Sequence, residues 1–98
     1  MVHKVVVTGI GATTPLGGDS KTTWKALLAG ESGIATLTQD WVAQYELPVT
    51  FAGQAKVPAK EMLTPQEAKR LDPSSQFALV SAREAWLDAG SPEVVPER

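Results

Sequence analysis

Residues 5–18 read VVVTGIGATTPLGG and decide how the start of the chain is interpreted. The first three are β-branched and do not alternate with polar residues, which is typical of a strand covered on both faces, as in a parallel sheet. The glycines that follow, together with Pro15, predict a loop. A buried strand, a glycine-rich loop and then a helix together predict an α/β protein.

A first helix is predicted after this loop. Asp19 or Ser20 can cap its N-terminus, and Gly30 is suited to end it. Its apolar residues recur at i, i+3 and i+4, so one face should be buried. The residues on that face are Trp24, Leu27 and Leu28.

The middle of the chain gives weaker signals. Residues 31–48 look irregular, with Thr38 a candidate cap for one short helical turn through Trp41 and Tyr45. Residues 49–55, VTFAGQA, alternate partially and predict a second, shorter strand.

Two further helix starts are sharper. Thr64, Pro65 and Glu67 have the spacing of a capping box with proline at the first helical position. Asp72 followed by Pro73 predicts a second start, and the long helix that begins there should end at Gly90.

The long helix, residues 74–89, is apolar around most of its circumference. A narrow polar sector holds Ser81, Glu84 and Asp88, and a stripe of small residues comprises Ala78, Ala82, Ala85 and Ala89. Such a helix usually lies in the interior of a large protein. A two-stranded parallel sheet and a few helices could not cover it, so we expect the chain to be part of a longer protein.

Composition excludes several classes of function. Nine Lys and Arg against 11 Asp and Glu give a net charge of -2, without the basic cluster that nucleic acid binding requires. No apolar stretch approaches about 18 residues, so no membrane span is expected. The chain has no cysteine, which removes disulfides and thiolate sites from it. A cytoplasmic protein is the default expectation.

Three groups are candidates for a functional site. Gly9 and Gly11 resemble part of a dinucleotide-binding fingerprint, although a structural turn explains them more simply. His3 stands alone, without the neighbours that a catalytic triad or a metal site needs. Lys69 and Arg70 near a helix end either complement the helix dipole or dock an anionic partner.

Four segments taken together resemble the opening of the type II β-ketoacyl-[acyl-carrier-protein] synthases, the condensing enzymes of fatty-acid synthesis. In chain order, the segments are VVVTGIGATTPLGG, TWKALLAGESGI, FAGQAK and KRLDPSSQFALVSAREAWLDAG. The resemblance covers nearly all of residues 2–90, so residues 1–98 would be an incomplete N-terminal part of the synthase N-terminal domain. Type II polyketide ketosynthases share much of this opening and remain an alternative, as does a stand-alone nucleotide- or carrier-binding module.

The resemblance implies a thiolase-like fold of five layers (α-β-α-β-α), normally a homodimer, with acyl carrier protein as partner and no cofactor or metal. The family joins an acyl chain held on a cysteine to malonyl-carrier protein. Its cysteine, two histidines and supporting lysine all lie beyond Arg98, so no catalytic residue is assigned and the chain alone should be inactive. Lys69 and Arg70 match two basic positions that meet the acidic carrier protein, whereas Gln66 departs from a third.

Overall fold

The computed structural model describes residues 2–96, which form two compact units. One unit is Thr13–Pro58, and the other combines the described residues before and after it. The elements, in chain order, are α1 Ser20–Leu28, β1 Ile34–Thr36, α2 Asp40–Gln44, β2 Phe51–Gly53, a 3-10 turn Ala59–Met62, α3 Pro65–Arg70 and α4 Pro73–Asp88. Within residues 2–96, no helix combines the length and hydropathy needed to cross a membrane.

The first helix, α1, begins and ends as predicted. The Asp19 side chain accepts a hydrogen bond from the Thr22 N–H at 2.7 Å, which lowers the pKa of that carboxyl. The chain leaves the helix through Gly30 at φ +75°, where glycine avoids the steric penalty of a side chain. The predicted burial of its apolar face is wrong for this chain: Trp24 is 61% exposed, and the buried residue of α1 is Ala26.

The sheet differs from the prediction in its pairing. Strand β2 lies inside the predicted 49–55 segment, but it pairs antiparallel with β1, in a region predicted to be irregular. The register places Ile34 opposite Gly53 and Thr36 opposite Phe51. Strand β1 has three residues, too few to show a period in the sequence, and it is therefore not predicted.

Helix α2 forms close to the predicted position, but its cap does not. Gln39 occupies the N-cap position and makes no side-chain hydrogen bond to the helix, so the assignment of the cap to Thr38 is wrong. Val42 is the buried residue of this short helix.

The opening valine run is not a strand in this structure. Residues 5–7 carry no strand assignment, and Val5 is 93% exposed. A strand exists only where a neighbour satisfies its backbone hydrogen bonds, and β1 and β2, the strands within residues 2–96, pair with each other. The predicted strand covered on both faces is therefore absent from the described part of the chain.

In the same unit, residues 9–12 lie close against α4. The N–H of Ile10 donates to Asp88 Oδ2 at 3.0 Å, and the N–H of Ala12 donates to Glu84 Oε1 at 2.8 Å. A Cβ on Gly11 would overlap the carbonyl oxygen of Ser81 and lie 2.8 Å from its carbonyl carbon. The narrow polar sector of α4 therefore binds residues 9–12, the opening segment.

Helix α4 runs for 16 residues, with its predicted signals at both ends. The Asp72 carboxylate accepts from the Ser75 N–H at 2.8 Å, and hydrogen bonds from the Ser75 side chain and N–H lower the pKa of Asp72. Gly90 follows the helix at φ +86°. Its apolar surface is only partly covered: Val80 is buried, whereas Trp86 is 46% and Leu87 70% exposed.

Candidate docking surface

The candidate surface is the last turn of α3, where Lys69 and Arg70 are adjacent. Both side chains are exposed, and neither takes part in a hydrogen bond or an ion pair with any other residue of the described part. The two positive charges are therefore available to an anionic partner. Gln66, the position where the resemblance would place a third cation, is also exposed on this helix.

The start of α3 is fixed by the predicted capping box. The Glu67 N–H donates to Thr64 Oγ1 at 3.2 Å, and the Thr64 N–H donates in return to Glu67 Oε1 at 3.1 Å. Pro65 occupies the first turn, where its missing N–H leaves no bond unmade. The local sequence thus sets where α3 begins.

Glu67 also connects α3 to α4 through Arg83. Arg83 donates from Nη1 to Glu67 Oε1 at 3.1 Å, and its Nη2 forms an ion pair with Oε2. The Arg83 guanidinium, helped by the Thr64 N–H, lowers the pKa of Glu67 to about 2. Because Glu67 pairs with Arg83, it is not engaged in neutralising Lys69 or Arg70.

Gln76, on α4, binds the other end of α3. Its Nε2 donates to the carbonyl oxygens of Ala68 and Leu71, both at 3.0 Å. The last carbonyls of a helix have no partner within the helix, so this amide satisfies groups that would otherwise need water. Gln76 is not predicted from the sequence as a functional residue; its one signal is that it is the single amide side chain of α4.

The remaining candidates are not brought into a site. His3 is exposed, and among residues 2–96 no three His, Cys, Asp or Glu residues cluster as metal ligands would. The N–H groups of Ile10 and Ala12 donate to carboxylates of α4, and α4 fills the space beside Gly9 and Gly11. The structural turn predicted for Gly9 and Gly11 is not formed, because residues 9–12 make no turn and neither glycine adopts a positive φ. Both glycines instead allow the backbone to pack closely against α4.

Comparison with known proteins gives consistent results. A family model described as "Beta-ketoacyl synthase, N-terminal domain" matches residues 2–97. The chain is 43% identical over 94 residues to 3-oxoacyl-[acyl-carrier-protein] synthase 2 of Mycobacterium tuberculosis, which covers 96% of this chain and 22% of that protein. The protein of the same name from Mycobacterium leprae is 40% identical over 94 residues, with the same coverage.

A third relative extends the similarity beyond mycobacteria. The 3-oxoacyl-[acyl-carrier-protein] synthase 2 of Staphylococcus aureus is 41% identical over 87 residues, or 88% of this chain and 20% of that protein. The chain thus spans about a fifth of the length of the curated relatives it matches.

Proposed function

The chain belongs to the β-ketoacyl synthase family, and from this premise we propose that it is the N-terminal portion of a 3-oxoacyl-[acyl-carrier-protein] synthase of type 2. The observation that carries the proposal is the continuous similarity across residues 2–97 to the N-terminal domain of that family. The exposed Trp86 and Leu87 on α4 support it further, because a longer chain would supply residues to cover them.

The proposed reaction is a decarboxylative condensation in fatty-acid synthesis. An acyl group is transferred from carrier protein to a cysteine thiolate; malonyl-carrier protein then loses CO₂, and the resulting carbanion forms a carbon–carbon bond with the acyl carbonyl as the thiolate leaves. This chain has no cysteine, so the nucleophile belongs to the remaining part of the synthase, and the 98 residues alone are inactive. Their contribution is to the scaffold and to the recognition of the carrier.

The proposed recognition surface is α3 with Lys69 and Arg70. Carrier proteins of this pathway are acidic, and two exposed, unpaired cations at a helix end provide the complementary charge. Exposed charges at the rim of an interface act mainly on the association rate and on salt sensitivity. The surface therefore affects the rate of carrier association rather than the rate of the chemical steps.

The quaternary and overall architecture belong to the same proposal. We place these residues in a thiolase-like, five-layered fold that is homodimeric and cytoplasmic. The exposure of Trp24 and Trp86 supports the larger architecture, because large aromatic side chains are typically covered in a complete fold.

The test uses the complete synthase that contains this chain. It should convert an acyl-carrier protein and malonyl-carrier protein into CO₂ and a 3-oxoacyl product two carbons longer than the acyl substrate. Reversing both charges (Lys69→Glu with Arg70→Glu) should raise KM for the carrier about tenfold or more at low salt and leave kcat unchanged. The matched control reverses Lys21 and Lys25, two exposed cations of α1, with the same change in net charge.

Two results would count against the proposal. Absence of condensation by the complete protein would remove the assigned activity. Equal increases in KM for the α3 and α1 double variants would show that only net charge matters, and that α3 is not the docking surface.

A further inference from the structure

We propose that Gln76 is a positioning residue for the carrier protein: it holds the last turn of α3 so that Lys69 and Arg70 point in the direction the carrier approaches. The inference rests on the proposed docking role of α3 and adds to it the residue that shapes the surface. Gln76 itself touches neither carrier nor substrate in this scheme, and its effect passes through the two cations.

The need for such a residue follows from the length of α3. The helix has six residues, and helices this short are unstable in water unless packing or side-chain contacts support them. Its capping box secures only the first turn. The last turn carries both cations, and it is the part that frays first unless its carbonyl groups find donors.

The Gln76 amide supplies those donors on both sides of the cation pair. Nε2 reaches the carbonyl oxygens of Ala68 and Leu71, the residues immediately before and after the cation pair, at 3.0 Å each. Both partners are acceptors, so only the amide nitrogen can serve them, and the orientation of the side-chain amide is determined. One side chain thus fixes the backbone on both sides of Lys69 and Arg70.

The N-terminal end of α3 is held to the same helix. Arg83 binds Glu67 in the first turn of α3, and it lies about two turns along α4 from Gln76. Two polar contacts from α4 therefore hold α3 near its two ends, and the contact at the cation end is the one made by Gln76.

The consequence for binding is orientational. When Gln76 holds the last turn of α3, the two cations have one relative orientation. Without Gln76, they sample many orientations, and only a fraction of these orientations can bind the carrier. The apparent affinity falls with that fraction, while the chemical steps on the bound substrate keep their rates. Loss of Gln76 should therefore change KM for the carrier and not kcat.

The experiment compares four forms of the complete synthase: the parent, Gln76→Met, Lys69→Ala with Arg70→Ala, and the triple variant. Methionine keeps the length of the side chain and removes both donors. Gln44→Met, at an exposed glutamine of α2 whose side chain makes no hydrogen bond to described residues, is the matched control. KM and kcat are measured with the acyl group attached to the carrier protein and with the acyl group as an N-acetylcysteamine thioester, which has no carrier protein to dock.

We expect Gln76→Met to raise KM for the carrier about threefold to tenfold, to leave kcat and the thioester kinetics unchanged, and to have no effect in the background lacking both cations. If Gln76→Met does not yield folded protein, Gln76→Asn takes its place with the same expectation, because its shorter side chain cannot reach both carbonyls.

Two results would overturn the inference. One is a parental KM for the Gln76 variant while Lys69→Ala with Arg70→Ala raises it; docking on α3 would then stand without Gln76. The other is an equal rise with and without the cations, which would indicate a general structural effect. A parental KM for the variant lacking both cations would instead overturn the docking proposal itself, so the two failures are distinguishable.

Discussion

Replacing Gly11 with alanine should separate the opening segment from α4. A Cβ at this position would lie 2.8 Å from the Ser81 carbonyl carbon and 2.9 Å from the Ala85 nitrogen, besides overlapping the Ser81 oxygen. Ordinary contacts between carbon atoms are about 3.5–4.0 Å, so the two backbones must move apart by about 0.7 Å or more. Backbone atoms cannot turn aside as a flexible side chain can, so the whole contact is disturbed.

The cost of this separation can be worked out from the contacts involved. Overpacking of this kind costs about 1–3 kcal/mol, and weakening the hydrogen bonds from Ile10 and Ala12 to α4 adds about 0.5–1.5 kcal/mol each. A total near 3 kcal/mol corresponds to about a 150-fold easier local opening, since each ~1.4 kcal/mol is a factor of ten. Amide hydrogen exchange reports such local openings directly.

The assay is hydrogen–deuterium exchange of the complete synthase, followed in peptides that cover residues 9–12. Gly11→Ala should accelerate exchange there about 100-fold. Gly30→Ala is the control: a Cβ at Gly30 meets nothing within 4 Å, and its cost is only the left-handed φ of +75°, about 1–2 kcal/mol. The control should leave exchange at residues 9–12 unchanged. Exchange accelerated less than about threefold in Gly11→Ala would refute the close-packing role of this glycine.

Two further predictions concern α3. Glu67→Gln keeps the capping-box acceptor and removes the charge opposite Arg83. The pKa of Glu67 in the folded protein, about 2, lies below its ordinary value of 4.5. The ion pair therefore stabilises the fold fully above about pH 4.5, and this stabilisation is lost as the pH falls towards 2. The Tm difference between parent and variant should therefore shrink as the pH falls through this range, and a constant difference would contradict the assignment. Gln66→Lys restores a third cation on α3 and should lower KM for the carrier about twofold to fivefold at low salt. An unchanged KM, measured beside the parent at equal ionic strength, would place Gln66 outside the docking surface.

The parts of the fold that sequence predicts well are those with local causes. Capping by Asp19, Thr64 and Asp72 involves side chains and N–H groups three residues apart, so the sequence contains every atom of the interaction. The glycines that end α1 and α4 adopt positive φ for equally local reasons. These signals place the helix starts and stops correctly.

The parts that sequence predicts poorly depend on distant partners. The valine run at residues 5–7 carries a strong strand signal, yet a strand forms only beside a neighbour, and residues 2–96 supply none for it. Strand β1 had no periodic signal, because three residues are too few, and its pairing with β2 could not be predicted. Trp24 follows the spacing of a buried face, but burial needs a surface to cover it.

The candidate surface divides in the same way. Adjacent cations at a helix end are visible in the sequence, and the family resemblance gives them a partner. The contacts of Gln76 and Arg83 with α3 join residues 5 to 16 positions apart on two helices. Which side chains meet across two helices depends on how the helices pack, so these contacts required the structure.

The most direct test of carrier docking on α3 is the salt dependence of carrier binding. The dissociation constant of the acyl carrier protein is measured against ionic strength for the complete synthase and for its Lys69→Glu, Arg70→Glu variant. The parent should bind more weakly as salt rises, and the variant should bind weakly at low salt with a flat or inverted dependence, because its attraction has become repulsion. Parallel salt curves at equal affinity would contradict the account.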